Sequence, residues 1–185
     1  MVEEPYLNIL PGWHPIVVHF PLALVTTAAL FLTAARVMRR ESYAATLATV
    51  GTWNLCLGAF AALLALATGL AAVIGLHVGA AAHQAVSLHV KWAIFTTLAL
   101  VLLAVWRGAG NAQDARPSWI FLLVLLAATA ALIVTGYRGG QNVYRYGVGV
   151  SSGMVSSLGM GAPSVVDHSP PRSSIKLTLA VSSRS

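Results

Sequence analysis

Four stretches of this chain are long, apolar and almost free of charge, and nothing else constrains its fold as strongly. Crossing about 30 Å of hydrocarbon takes roughly 20 apolar residues in a helix, because in lipid every backbone amide must find its partner within the segment. The runs at about 15–35, 51–76, 83–106 and 118–137 each meet that length, and between Gly51 and Leu76 there is no Asp, Glu, Lys or Arg at all. The expectation is an all-α protein, an integral membrane four-helix bundle formed by residues 15–150. Composition agrees. Only 9% of the 185 residues are charged and 57% are hydrophobic, whereas a soluble domain is about a quarter charged.

The basic residues set an orientation. Arg36, Arg39 and Arg40 lie between the first and second runs, and Arg107 and Arg116 between the third and fourth. The second connection has no Lys or Arg before Lys91. Cytoplasmic loops collect Lys and Arg, so both termini are expected outside, with Arg138 and Arg145 outweighed. The net charge of +6 therefore reads as a topology signal and not as a nucleic-acid patch. Residues 1–14 carry Glu3 and Glu4 but no Lys or Arg, so they lack the positive start of a cleavable signal and read as a retained outer segment. Residues 151–185 turn to Ser, Gly and Pro, the composition of a flexible tail, and hold His168.

Several chemistries are excluded. Cys56 is the only cysteine, which rules out a disulfide framework, a CxxCH haem attachment and a thiolate zinc site within the chain. There is no carboxylate dyad, nucleophile triad or phosphate loop, and Glu41 and Asp114 fall in the arginine-bearing loops. The reading is of a chain that does not itself run substrate chemistry.

Histidine is where the chemistry concentrates. Five of the six (His14, His19, His77, His83 and His89) fall at one side of the membrane in this topology, and none lies near the other. An ionisable side chain in a membrane is costly and marks a functional site. Counted at 1.5 Å per residue, His19 and His89 lie at similar depth. Each is followed at helical spacing by small or Thr-containing residues: Ala23, Thr26, Leu30 and Thr33 after His19, and Ala93, Thr96, Leu100 and Ala104 after His89. Such stripes are what membrane helices turn toward each other.

Two neutral imidazoles on facing helices are how a bundle holds haem b, so His19 and His89 form the leading ligand pair, with His14 and His83 as second candidates. One or two haems fit this count. Arg138 and Lys91 are placed to meet haem propionates. Simpler roles compete: a boundary histidine can meet headgroups, and Lys91 and Arg138 can snorkel. Gly51, Gly58 and Gly69 on the second helix would admit either a flat macrocycle or a neighbouring helix.

Two segments, GWHPIVVHFPLAL (12–24) and GYRGGQNVYRYGVGV (136–150), resemble a bacterial four-helix membrane family catalogued as domain of unknown function 2231, known by an HPxxVHFP motif and a closing GVGV. LHVKWAIFTTLALVLLAVWR (88–107) fits its third helix and favours His89 over His83. The resemblance covers roughly residues 12–150. It implies a multi-pass protein of the bacterial inner membrane, associated with respiratory partners such as a periplasmic cytochrome c or Rieske protein. It also implies that His14 is the more regular histidine of the first motif. Together these readings point to a membrane cytochrome b-like subunit of a redox complex, in contact with lipid and other subunits. Two alternatives stand beside it: a cofactor-free anchor or assembly subunit, and a transition-metal carrier using the outer histidines.

Overall fold

The structure, a computed structural model, describes residues 9–74, 79–110 and 116–148. Five helices account for almost all of these: α1 (Ile9–Val17), α2 (His19–Val37), α3 (Glu41–Val73), α4 (Ala80–Ala109) and α5 (Trp119–Tyr146). The first two form one membrane crossing, so the described residues make four spans. His77, His168 and the tail from Ser151 lie outside them.

The gap between α1 and α2 has a local cause. Pro21 has no N–H to give the carbonyl of Val17, and its ring crowds that carbonyl, so the helix loses a hydrogen bond one turn before the proline. The chain responds with a turn at Val18, whose φ of −63° and ψ of −20° keep it near helical geometry, and Val18 N–H still reaches His14 O at 3.1 Å. The sequence placed a kink just past His19; the discontinuity falls immediately before it.

The other helices outrun the apolar runs. The sequence reading began the second helix at Gly51 and ended the fourth at Tyr137, but α3 starts at Glu41 and α5 continues to Tyr146. The difference arises because hydropathy detects only the part within hydrocarbon. A helix of 28 residues, the length of α5, spans about 42 Å, so its ends stand among the headgroups. Glu41 lies favourably in the first turn of α3, at the positive end of the helix dipole. Ser118 Oγ caps α5 by accepting from Phe121 N at 3.2 Å. Gly147 closes α5 with φ of +64°, a left-handed conformation that glycine adopts without Cβ strain.

The helices pack in chain order, with α2 against α3, α3 against α4, α4 against α5 and α5 back on α2, while α1 lies on α3. Among the described residues, neither diagonal pair has Cα atoms within 8 Å, and α1 does not approach α4 or α5 that closely. The inward face of every span repeats in steps of three and four. On the first it carries His14, Pro21, Val25, Ala28, Leu32 and Ala35, and on the third Ala82, Val86, His89, Thr96, Leu100 and Leu103. The core unites Val25, Leu32, Leu55, Leu100, Leu122 and Leu125, all at most 2% exposed.

The close pair is α2 with α3, and glycine explains it. A Cβ at Gly51 would come within 2.8 Å of Leu32, and one at Gly58 within 2.8 Å of Val25. These two glycines thus serve helix packing. Outward, Leu30, Phe95, Ile120 and Leu123 are 63–68% exposed, the apolar exterior that lipid requires and water would penalise. Threonine hydroxyls on these surfaces bond back to the carbonyl four residues earlier, as Thr26 does to Leu22 O at 2.6 Å and Thr46 to Ser42 O at 3.1 Å, which lets a polar side chain face hydrocarbon.

A hydroxyl pair links α4 and α5 inside the bundle. Thr135 gives its proton to Ala131 O at 2.8 Å and so accepts from Thr96 at 3.1 Å. Thr96→Val keeps the shape and removes that bond. It is expected to lower stability by about 0.6 kcal/mol, the average for interhelical bonds in membranes. A comparison of unfolding midpoints in detergent would show it, and an unchanged midpoint in Thr96→Val would mean that the bond contributes nothing.

Candidate functional site

His14 and His89 point into the bundle, each against a glycine. The ring of His14, on α1, lies over Gly69 of α3, where an added Cβ would sit 2.8 Å from His14 Cε1. That of His89, on α4, lies over Gly139 of α5, where an added Cβ would sit 3.1 Å from His89 Cε1. Each imidazole is also tethered by the helix it rests on. His14 Nδ1–H donates to Ala65 O at 3.0 Å, with Thr68 Oγ1 at 3.3 Å, and His89 Nδ1–H donates to Thr135 O at 3.1 Å.

Those tethers fix the chemistry of the rings. A carbonyl can only accept, so Nδ1 must carry the proton in both cases, and in the neutral imidazole Nε2 then keeps its lone pair. A ring that donates its far N–H to a backbone carbonyl is the usual state of a histidine that ligates a metal. The two rings are presented by separate helices, α1 and α4, whose Cα atoms do not come within 8 Å of one another.

The pair differs from the one the sequence favoured. His19 does not turn toward His89. It is exposed, and its Nδ1–H closes onto the preceding turn of its own span at Pro15 O, 2.6 Å away. Ala23, Thr26 and Leu30, which follow it at helical spacing, are exposed as well. The reason is angular: residues five apart on a helix point about 140° from one another, so His14 and His19 cannot both face inward. His83 is also exposed, on the surface of α4. The stripe proposed after His89 does face inward, with Thr96 and Leu100 buried. The structure thus turns inward one histidine from each sequence-derived pair.

The basic residues separate similarly. Arg138 is half-buried, its guanidinium 5.6 Å from the ring centre of Trp92, and its Nε is buried without a hydrogen-bond partner. It lines a cavity of about 230 Å³ together with Gln84, Gln141, Asn142 and Tyr146. Lys91 is exposed on the outer surface of α4. Among the described residues, no group of three or more His, Cys, Asp or Glu side chains is placed to hold a metal. Among the described residues, the inward-facing imidazoles at this end are those of His14 and His89, and Arg138 precedes the glycine under His89. Sequence reasoning missed the glycines: Gly139 was part of a motif with no assigned task, and Gly69 was read together with Gly51 and Gly58.

No curated protein and no solved structure matches the chain. A family model does, over residues 11–152, which takes in all four spans, both inward histidines and both of their glycines. The chain belongs to the family of predicted membrane proteins defined by the domain of unknown function 2231 (DUF2231).

Proposed function

We propose that this protein is a membrane cytochrome b-like subunit in which His14 and His89 hold haem b near one face of the bilayer. The observation that supports the reading is the matched tethering of the two rings, each with Nδ1–H on a helix carbonyl and Nε2 left as a donor. Two imidazoles with no third ligand among the described residues make a poor site for a bare ion. They suit a metal that brings its own equatorial donors, as the iron of a porphyrin does. Gly69 and Gly139 keep the neighbouring helices free of Cβ atoms where the rings lie. Arg138, with its unpartnered Nε and the amides of Gln84, Gln141 and Asn142 around one cavity, is the group placed to pair with propionates. Lys91, on the outer face, belongs to the headgroup region.

Bound haem would supply a one-electron carrier. The chain's own part is to fix both axial nitrogens, to exclude water by its close-packed helices, and to stand between a donor and an acceptor held by other subunits. With the arginine-rich loops on the cytoplasmic side, the histidine end faces the periplasm, where a cytochrome c or Rieske protein could exchange electrons with it. Purified full-length protein should show a Soret band and sharpened α and β bands on reduction. A colourless protein from haem-replete cells would leave the second reading, a cofactor-free anchor in which the two Nδ1 bonds simply tie helices together.

The orientation has its own test. A reporter fused after Val150 should be active only on the periplasmic side, following the arginine asymmetry of the loops. Cytoplasmic activity would place the histidines at the inner face.

A further inference from the structure

Two polar groups between α4 and α5 are buried without a protein contact that explains them. Asn142 is only 7% exposed, yet among the described residues its side-chain amide has no hydrogen-bond partner. Arg138 is fixed by its stacking on Trp92, and its Nε is likewise buried without a partner. An unsatisfied polar group inside a protein is costly, so both call for a ligand. They line the same cavity of about 230 Å³, with Gln141 and Tyr146 of α5 and with Ala81, Gln84 and Leu88 of α4. These residues all belong to two helices that pack on one another.

The chemistry of these groups narrows the ligand. A guanidinium only donates, which suits a carbonyl or carboxylate oxygen, a propionate included. A side-chain amide both donates and accepts. Gln141 uses its Nε2–H on Tyr137 Oη at 3.0 Å, which leaves its oxygen as an acceptor. The amide oxygens of Asn142, Gln84 and Gln141 therefore need a partner that brings an O–H or N–H, and a carboxylate has none. The surroundings add an apolar requirement. Leu88 is 42% exposed beside the cavity, and Phe95, seven residues on and on the same face of α4, is 63% exposed. Phe95 lies about 10 Å deeper toward the hydrocarbon. Trp92 and Tyr146 set the cavity itself at the depth of the lipid headgroups. The ligand that fits is an amphiphile with a hydroxylated head and a chain that runs into the bilayer.

We propose that this cavity binds the ring of a lipid-soluble quinol, with Asn142 as its principal contact, Arg138 beside it, and the quinol's chain along Leu88 and Phe95. A quinol hydroxyl donates to an amide oxygen while its own oxygen accepts from a guanidinium N–H. Ring binding does not depend on haem. The use of the site for electron exchange rests on the haem reading, in which the ring would lie close to the iron, since Arg138 adjoins the glycine under His89.

The test uses the full-length protein in a neutral detergent, with quenching of tryptophan fluorescence reporting on Trp92. It is titrated separately with a decyl-chain benzoquinol and with short-chain phosphatidylglycerol, whose glycerol also carries hydroxyls. Saturable quenching by the quinol, weakened at least about tenfold by Asn142→Leu and unchanged in Lys91→Gln, supports the site. If Asn142→Leu does not accumulate, Gln84→Leu, at an exposed position of α4, serves in its place and should weaken binding in the same direction. Phosphatidylglycerol binding as tightly with the same dependence on Asn142 would make this a phospholipid site and overturn the proposal. Equal loss in Lys91→Gln, binding that both leucine variants leave intact, or no saturable quenching by the quinol would overturn it as well. Fluorescence reads coloured and colourless protein alike. A colourless protein that binds quinol defeats the haem reading alone, and a haem-bearing one that does not bind it defeats this proposal alone.

Discussion

Replacing either His14 or His89 by alanine is expected to abolish a low-spin, bis-imidazole haem spectrum, whereas His19→Ala and His83→Ala should leave it in place. The inward pair is tethered by Ala65 O and Thr135 O, while the other two rings are exposed. An iron with one remaining axial nitrogen becomes five-coordinate or takes a new ligand, so the change is qualitative and visible by absorbance. The tethers supply a second arm that spares both ligands. Gly69→Ala puts a methyl 2.8 Å from His14 Cε1, so it should shift or weaken the same spectrum although no histidine is altered. A haem spectrum that survives His14→Ala but is lost in His19→Ala would sink the assignment and restore the pair first favoured by helical spacing.

The largest effect on stability is expected at Gly58. A Cβ there would lie 2.8 Å from Val25 Cγ2 and 3.3 Å from both Val25 N and Leu24 Cβ. Part of that crowding involves backbone, which cannot swing away. Gly58→Leu must therefore push α2 off α3, at a cost of about 3 kcal/mol or more, the upper range for overpacking. Gly136→Ala, in α5 with nothing within 4 Å of its Cβ position, should do the reverse and gain about 0.5–1 kcal/mol by removing backbone freedom. Unfolding midpoints in detergent should move in opposite directions for the two. Two shifts of the same sign and size would mean that the glycines of α3 and α5 share a general propensity effect, and that close approach of α2 to α3 is not what Gly58 provides.

The spans were legible in the sequence because the physics that creates them is one-dimensional. A run such as 51–76 needs only length and the absence of charge. Helix ends were less legible, because nothing in hydropathy forces α3 to start at Glu41 or α5 to run through Gly139 and Gly140. Which face turns inward was legible only in part. From His89 onward the small and buried residues coincide, and the inward face follows from the spacing alone. On the first span two stripes compete. The one from His19 through Ala23, Thr26 and Leu30 contains threonines that satisfy themselves against their own helix, as Thr26 does, so it tolerates lipid. The one from His14 through Val25, Ala28 and Leu32 fills the grooves left by Gly51 and Gly58, and that complementarity exists only once two helices are in hand. The glycines under the histidines were the least legible, since a glycine records a close approach without naming what approaches.

The tethers also say something about when the histidine pair comes into being. His14 is bonded to the carbonyl of Ala65, so the first and second crossings orient it between themselves. His89 is bonded to the carbonyl of Thr135, so the third and fourth crossings do the same. Neither histidine depends for its orientation on the hairpin that carries the other. During synthesis the first hairpin can complete its half while the second is still on the ribosome, and the two histidines come into one bundle only when two finished hairpins dock. The division falls in the connection between α3 and α4. A gene cut there would encode two separate polypeptides, each bearing a prepared imidazole, whose reunion in the membrane is the assembly step itself.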